Sequence, residues 1–115
     1  MKEYLLLFWN EAGEGQYAVS PEELQQSMAL WQAWIGEIAM QGKLVSTHPI
    51  QYEGSVVSSH ALADSPAVKA GEMVTGFMIC KAENELEVQA WSQSCPILQH
   101  PKGSVEIREF APFEM

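Results

Sequence analysis

Two short runs of almost unbroken apolar residues limit what this chain can fold into: Tyr4-Leu5-Leu6-Leu7-Phe8-Trp9 and Val74-Thr75-Gly76-Phe77-Met78-Ile79-Cys80. Successive side chains of a strand point to opposite faces. A run that is apolar at nearly every position is therefore a strand covered on both faces. Both runs are short for a buried helix, so both read as inner strands of a sheet. Val105-Glu106-Ile107-Arg108-Glu109-Phe110 alternates at first, with Val105 and Ile107 on one face and Glu106 and Arg108 on the other. That suits a strand with one wet face. A further short strand is expected over Gly54 to Ser58, around Val56 and Val57. Asn10 to Tyr17 reads as a loop, and so does most of Leu44 to Gln51. Ser59 to Glu72 reads as irregular chain with room for a short hairpin.

Two helices complete the order. Ser20 can cap the first, Pro21 suits its first position, and Glu23 stands where a capping box needs it. Leu24, Met28, Trp31, Ile35 and Ile38 then recur every three or four residues, an apolar stripe widened by Trp34. Gly42 ends it. Asn84 caps the second helix with Glu87 at the box position, and Leu86, Ala90 or Trp91, and Cys95 are its expected inner face. Pro96 stops it.

The order is β-α-β-β-α-β. In a ferredoxin-like split βαβ arrangement the first and third strands lie in the middle of the sheet. Here those are the two most apolar runs. The expected fold is thus α+β, an antiparallel sheet with both helices on one face, in a single domain over residues 1–115. Two helices cover one face of a sheet whose inner strands are apolar on both. A second copy of the chain is the simplest cover, so the pattern predicts a homodimer through the sheet faces.

Composition narrows the partners. Six basic residues stand against fifteen acidic ones, a net charge of −9. Phosphate binding needs clustered Lys and Arg, so nucleic acid is not an expected partner. No apolar run approaches the roughly 18 residues of a membrane span. The opening Met1 to Gly15 lacks a signal peptide's long apolar stretch and cleavage site. Cys80 and Cys95 are too few for a disulfide framework and read as thiols in a reducing cytoplasm.

Candidate chemistry is sparse. Asp64, before Ser65-Pro66, could act as a general base or bind a ligand at a pocket lip; an Asx turn explains it equally well. His48 and His60 flank the irregular middle, and either could pair with Asp64 as an acid–base dyad. His100 has no assigned role. Trp9, Trp31 and Trp34 could line a small apolar cavity between helix and sheet, and Trp9, Trp34 and Ser65 are the candidate ligand contacts. The three His and two Cys contain no close-spaced ligand pair, so no metal site is expected. No phosphate-cradling glycine loop and no Gly-x-Ser-x-Gly elbow occur. No cofactor is expected.

Six segments in order carry a resemblance: Met1 to Leu7; Ser20 to Gln25 with Trp31 and Trp34-Ile35-Gly36; Gln41-Gly42-Lys43-Leu44-Val45; Asp64-Ser65-Pro66-Ala67; Glu72 with Gly76-Phe77 and Lys81; and Cys95-Pro96-Ile97-Leu98 with Gly103 to Arg108. Together the chain resembles the YCII-related family in its DGPF branch. The resemblance implies a dimeric α+β barrel and an accessory or regulatory role. The signature departs from Asp-Gly-Pro-Phe at Ser65 and Ala67. The His–Asp pair of the YCII branch is incomplete, because no histidine precedes His48. Only Asp64 carries over. The leading expectation is a small-molecule-binding dimer. The alternative is an enzyme using Asp64 and a histidine for proton transfer or hydrolysis, and a third reading leaves only a protein partner.

Overall fold

The computed structural model describes residues 1–12 and 20–111. Its two longest strands are the two apolar runs, β1 (Lys2–Glu11) and β5 (Glu72–Ala82). They pair antiparallel at the centre of a four-stranded sheet. β2 (Leu44–Pro49) lies outside β5, and β6 (Ser104–Glu109) lies outside β1. All three ladders are antiparallel. The helices are α1 (Pro21–Met40) and α2 (Glu85–Ser92). This is the expected ferredoxin-like α+β order, and none of the described helices is long and apolar enough to cross a membrane.

Burial follows strand parity. Tyr4, Leu6, Phe8 and Asn10 of β1 are buried under the helices, while Leu5, Leu7 and Trp9 on the other face are half-buried. Met78, Cys80 and Ala82 of β5 complete the core with Trp34, Ile38, Val88, Cys95 and Ile97. One sheet and one helical layer make a flat molecule of 46 × 38 × 20 Å.

The expected second sheet strand was misplaced. It is Leu44–Pro49, whereas Val56–Val57 forms β3 and pairs with β4 (Leu62–Ala63) in a separate two-stranded ladder. Ser46, His48 and Pro49 interrupt any apolar pattern in β2, and an edge strand tolerates that because only part of it must be covered. The expected loop from Asn10 also begins too early, since β1 runs to Glu11; Gly13 to Tyr17 lie outside the described residues.

The helix signals hold at the termini and fail partly on the faces. Ser20 Oγ accepts the Glu23 N–H at 3.2 Å, and Gly42 adopts φ +72° just past the end of α1. Only the later half of the apolar stripe is covered: Trp34 and Ile38 are buried, but Leu24 and Met28 are 50% and 51% exposed. A helix of 20 residues is about 30 Å long, and its first turns overhang the packed layer. In α2, Asn84 Oδ1 accepts the Glu87 N–H at 3.0 Å, and Glu87 Oε1 accepts the Glu83 N–H at 2.9 Å. The inner face of α2 is Val88 and Ser92, while Leu86 is 71% exposed. Leu86 lies about 200° around the helix from Val88. The inner face therefore cannot hold both.

The Lys43 ammonium bonds the second Glu87 carboxylate oxygen and sits 5.7 Å from the Trp91 ring centroid. The ammonium and the Glu83 N–H hold the Glu87 carboxyl below its usual range. The exit of α1 is thereby tied to α2.

Cys80 and Cys95 are buried free thiols. Cys95 precedes the short 3-10 turn Pro96–Gln99, so it stands at a helical start and not at the end of α2. It remains core, 2% exposed, and burial pushes both thiols up to about 11. Above the ordinary thiol range the unfolded chain loses protons that the folded chain keeps. Stability must then fall as pH rises from about 9 towards 11. Melting temperature should drop more over that interval in the wild type than in a C80A/C95A variant. Equal drops in the two proteins would contradict this.

Candidate functional site

The overhang of α1 roofs a cleft of about 1010 Å³. Its floor is the end of the inner strands: Phe8 and Asn10 of β1, and Met73, Thr75 and Gly76 of β5. Leu24, Met28, Trp31 and Ile35 of α1 form the roof. Thr47 to Tyr52 close one side, and Pro96, Ile97, Gln99 and His100 close the other. The stripe residues left uncovered by the core are therefore the wall of a cavity, which is the usual setting of a small-molecule site.

A β-bulge shapes the floor. Gly76 pairs with Phe8 and Val74 with Trp9, which leaves Thr75 without a partner. The Thr75 hydroxyl donates to the Phe8 carbonyl at 3.1 Å, and the Thr75 carbonyl accepts the Ile50 N–H at 3.0 Å. The bulge inverts the parity of β5, placing Met73 beside Asn10 under the helix layer. A methyl group on Gly76 would lie 3.1 Å from the His48 carbonyl oxygen and 3.5 Å from the Phe8 ring. Only hydrogen leaves this part of the floor open.

The wall is aromatic and rigid. The Phe8 and Trp31 rings meet edge to face with centroids 5.1 Å apart. Trp34 stands behind them, 6.0 Å from Phe8 and 5.9 Å from Trp31. Its indole N–H donates to the Trp91 carbonyl at 2.9 Å. The lining surface is mostly apolar; its polar residues include Asn10 and Thr75 on the floor, and the titratable ones are Glu23, His48, Tyr52 and His100.

The candidate residues from the sequence do not gather here as a set. His48 borders the cleft; it is exposed, with its ring centroid 5.9 Å from that of Phe77. Trp34 is 5% exposed and packs behind the wall, so Trp31 takes the place at the surface of the cavity. Trp9 projects from the opposite face of the sheet, where its indole N–H donates to Glu106 at 3.0 Å. Alternation from Phe8 inward to Trp9 outward requires this. His60 lies in the exposed tight turn between β3 and β4, where Ser58 N–H bonds the Ala61 carbonyl at 2.8 Å. Asp64 and Ser65 follow β4 and are exposed. No hydrogen bond or ion pair joins Asp64 to an imidazole among the described residues, so the acid–base dyad is not assembled in this structure. His100, which carried no expected role, does line the cleft. Asn10 was legible in principle, as the polar fourth member of the inward row Tyr4, Leu6, Phe8, Asn10.

Among the described residues no group of three His, Cys, Asp or Glu could hold a metal ion. No curated protein matches the chain. Among solved structures, the fold is similar to 5-chloro-2-hydroxyhydroquinone dehydrochlorinase (TftG) from Burkholderia phenoliruptrix AC1100, in complex with 2,5-dihydroxybenzoquinone. That match has a TM-score of 0.51 at 16% identity and covers 93% of each chain. It establishes likeness of fold. The pattern of the YCII-related domain matches residues 4–114, from the first core tyrosine almost to the last residue. On that span, and with the sheet order agreeing, the chain belongs to the YCII-related domain family.

Proposed function

We propose that this protein binds a small, largely apolar molecule in the cleft under α1. The observation that carries the reading is the roof: Leu24, Met28 and Trp31 share a stripe with the core residues Trp34 and Ile38, yet they face open space. A filled core at this place would have favoured a purely protein-binding role. The fold also supports ligand binding elsewhere, since the similar dehydrochlorinase structure holds a quinone. An accessory or regulatory role fits a chain whose cleft contains few titratable groups. The enzymatic alternative retains His48 at the cleft opening, with Asp64 and His60 exposed in another part of the chain.

The test is a titration with 2-naphthol as probe. A ligand at 100 times its dissociation constant stabilises the fold by about 2.7 kcal/mol, so melting temperature should rise by several degrees. The Trp31 indole resonance should shift, and the Trp31→Ala variant should bind at least several-fold more weakly. No thermal shift and no change at Trp31 would end the proposal.

The working unit in this proposal is a homodimer in the cytoplasm, joined through the open sheet face. Leu5, Leu7 and Trp9 of β1 and Val74, Phe77 and Ile79 of β5 are half-buried there, with no helix over them among the described residues. The radius of gyration, 15.5 Å, exceeds the roughly 13 Å of a compact chain this long, as a missing layer would produce. Two free buried thiols suit a reducing compartment. Light scattering at micromolar concentration should give twice the chain mass, and a monomer would refute the dimer.

A further inference from the structure

The floor of the cleft contains one polar side chain at a core position. Asn10 is 7% exposed, and it continues the inward row of Tyr4, Leu6 and Phe8. Its Oδ1 accepts the Glu11 N–H at 2.8 Å. A backbone N–H can only donate, so this bond settles which end of the amide is oxygen. The Nδ2 group is then the other end, and it has no acceptor among the described residues. No fully enclosed side-chain nitrogen or oxygen lacks a partner among the described residues. Nδ2 therefore touches open space, and the space that Asn10 lines is the cleft.

An amide donor that faces a cleft is met by water until a ligand enters, and a ligand that displaces the water without offering an acceptor leaves the donor unsatisfied at a cost. The cleft surface around it is mostly apolar, with Phe8, Met73 and Trp31 among its lining. Resting on the ligand-binding reading above, we infer that Asn10 orients the ligand by donating a hydrogen bond from Nδ2 to an oxygen on a planar aromatic molecule. The chemical class is an aryl carbonyl compound: the ring lies against the Phe8–Trp31 wall, and the carbonyl oxygen points at the floor. A rigid aromatic wall favours a flat ring, because such surfaces cannot repack around a bulky one. A single strong donor at the base favours one acceptor oxygen over a second donor or a cation. Asn10 is a positioning and specificity residue in this scheme, and no bond is made or broken.

Two probes of similar shape test it: 2-acetonaphthone, which has the carbonyl oxygen, and 2-isopropylnaphthalene, which lacks it. Affinities for both are measured by calorimetry with the full chain, as wild type and as two variants. Asn10→Asp keeps an oxygen for the Glu11 N–H but replaces the donor with a second acceptor. Asn10→Leu removes the polarity with little change of volume. A net hydrogen bond of ordinary strength corresponds to roughly 2- to 10-fold in affinity. The ratio of ketone to hydrocarbon affinity should fall by that factor in both variants, with hydrocarbon binding changed little or improved. In the wild type, the Asn10 side-chain amide resonances should move with the ketone and stay in place with the hydrocarbon. If both probes bind at Trp31 and the ratio is unchanged by Asn10→Asp, the role of Asn10 is overturned while the cleft remains a ligand site. If neither probe binds wild type, the ligand-binding reading fails and this inference with it. Should Asn10→Leu not fold, Asn10→Asp and the amide resonances decide alone.

Discussion

Replacing Trp34 with alanine lowers stability by about 3–5 kcal/mol, the range for emptying a buried aromatic site. Whole domains of this size are stable by roughly 5–15 kcal/mol, so the variant approaches the limit of folding. Three losses add up at one position. The ring is 5% exposed and meets Phe8 and Trp31 edge to face. Its N–H is the hydrogen bond that joins α1 to the carbonyl of Trp91 at the far end of α2. Its removal also lets the Trp31 wall of the cleft sag into the void. Trp34→Phe separates these terms, since it keeps most of the buried area and loses the bond, at about 1 kcal/mol. Urea unfolding followed by circular dichroism checks both. A Trp34→Ala midpoint within experimental error of wild type would mean that the packing described here is not the packing in solution. Trp31→Ala should differ in kind: its half-exposed ring contributes less to stability, and its loss is read mainly in probe affinity.

Gly103→Ala is the second large expected effect. A methyl group built on Gly103 would stand 1.8 Å from the Ile97 carbonyl oxygen and 2.8 Å from the carbonyl carbon. Both are backbone atoms of the 3-10 turn, and neither can rotate away. The same stretch is held by the Gly103 N–H donating to the His100 carbonyl at 3.0 Å and by the His100 N–H donating to Ile97 at 3.2 Å. Relief therefore requires the turn to move from β6, along with Ile97, which is core. Overpacking of this kind costs about 1–3 kcal/mol, and one kcal/mol moves the melting temperature of a domain this size by about 4 °C. Because Pro96, Ile97 and His100 form one side of the cleft, probe affinity should fall together with melting temperature. An alanine variant with unchanged melting temperature would show that the turn has room which the structure denies. Gly36→Ala is the matched control, since nothing lies within 4 Å of a methyl group there.

Legibility in the sequence followed how local the cause was. Ser20 and Asn84 were readable as caps because capping involves groups three residues apart. The central strands were readable because apolar residues on both faces suit few other places in a small domain. β2 was not, because Ser46, His48 and Pro49 take their place from pairing with Ile79, Phe77 and Gly76, more than twenty residues away. Leu86 and Val88 show the same limit on a helix, since either could supply an apolar face and only the docked sheet chooses Val88.

The candidate site divides along the same line. Residue order alone determined the α+β class and the inner strands. Each depends on side-chain periodicity or on contacts between near neighbours. Tertiary structure alone decided that Trp31, and not Trp34 or Trp9, faces the cavity. It decided that His48 and His100 border one opening while Asp64 and His60 do not. A cavity is the space left between elements packed at a particular offset, and here that offset depends on a bulge at Thr75, the overhang of α1 and a turn that only Gly103 permits. No short stretch of sequence contains those distances.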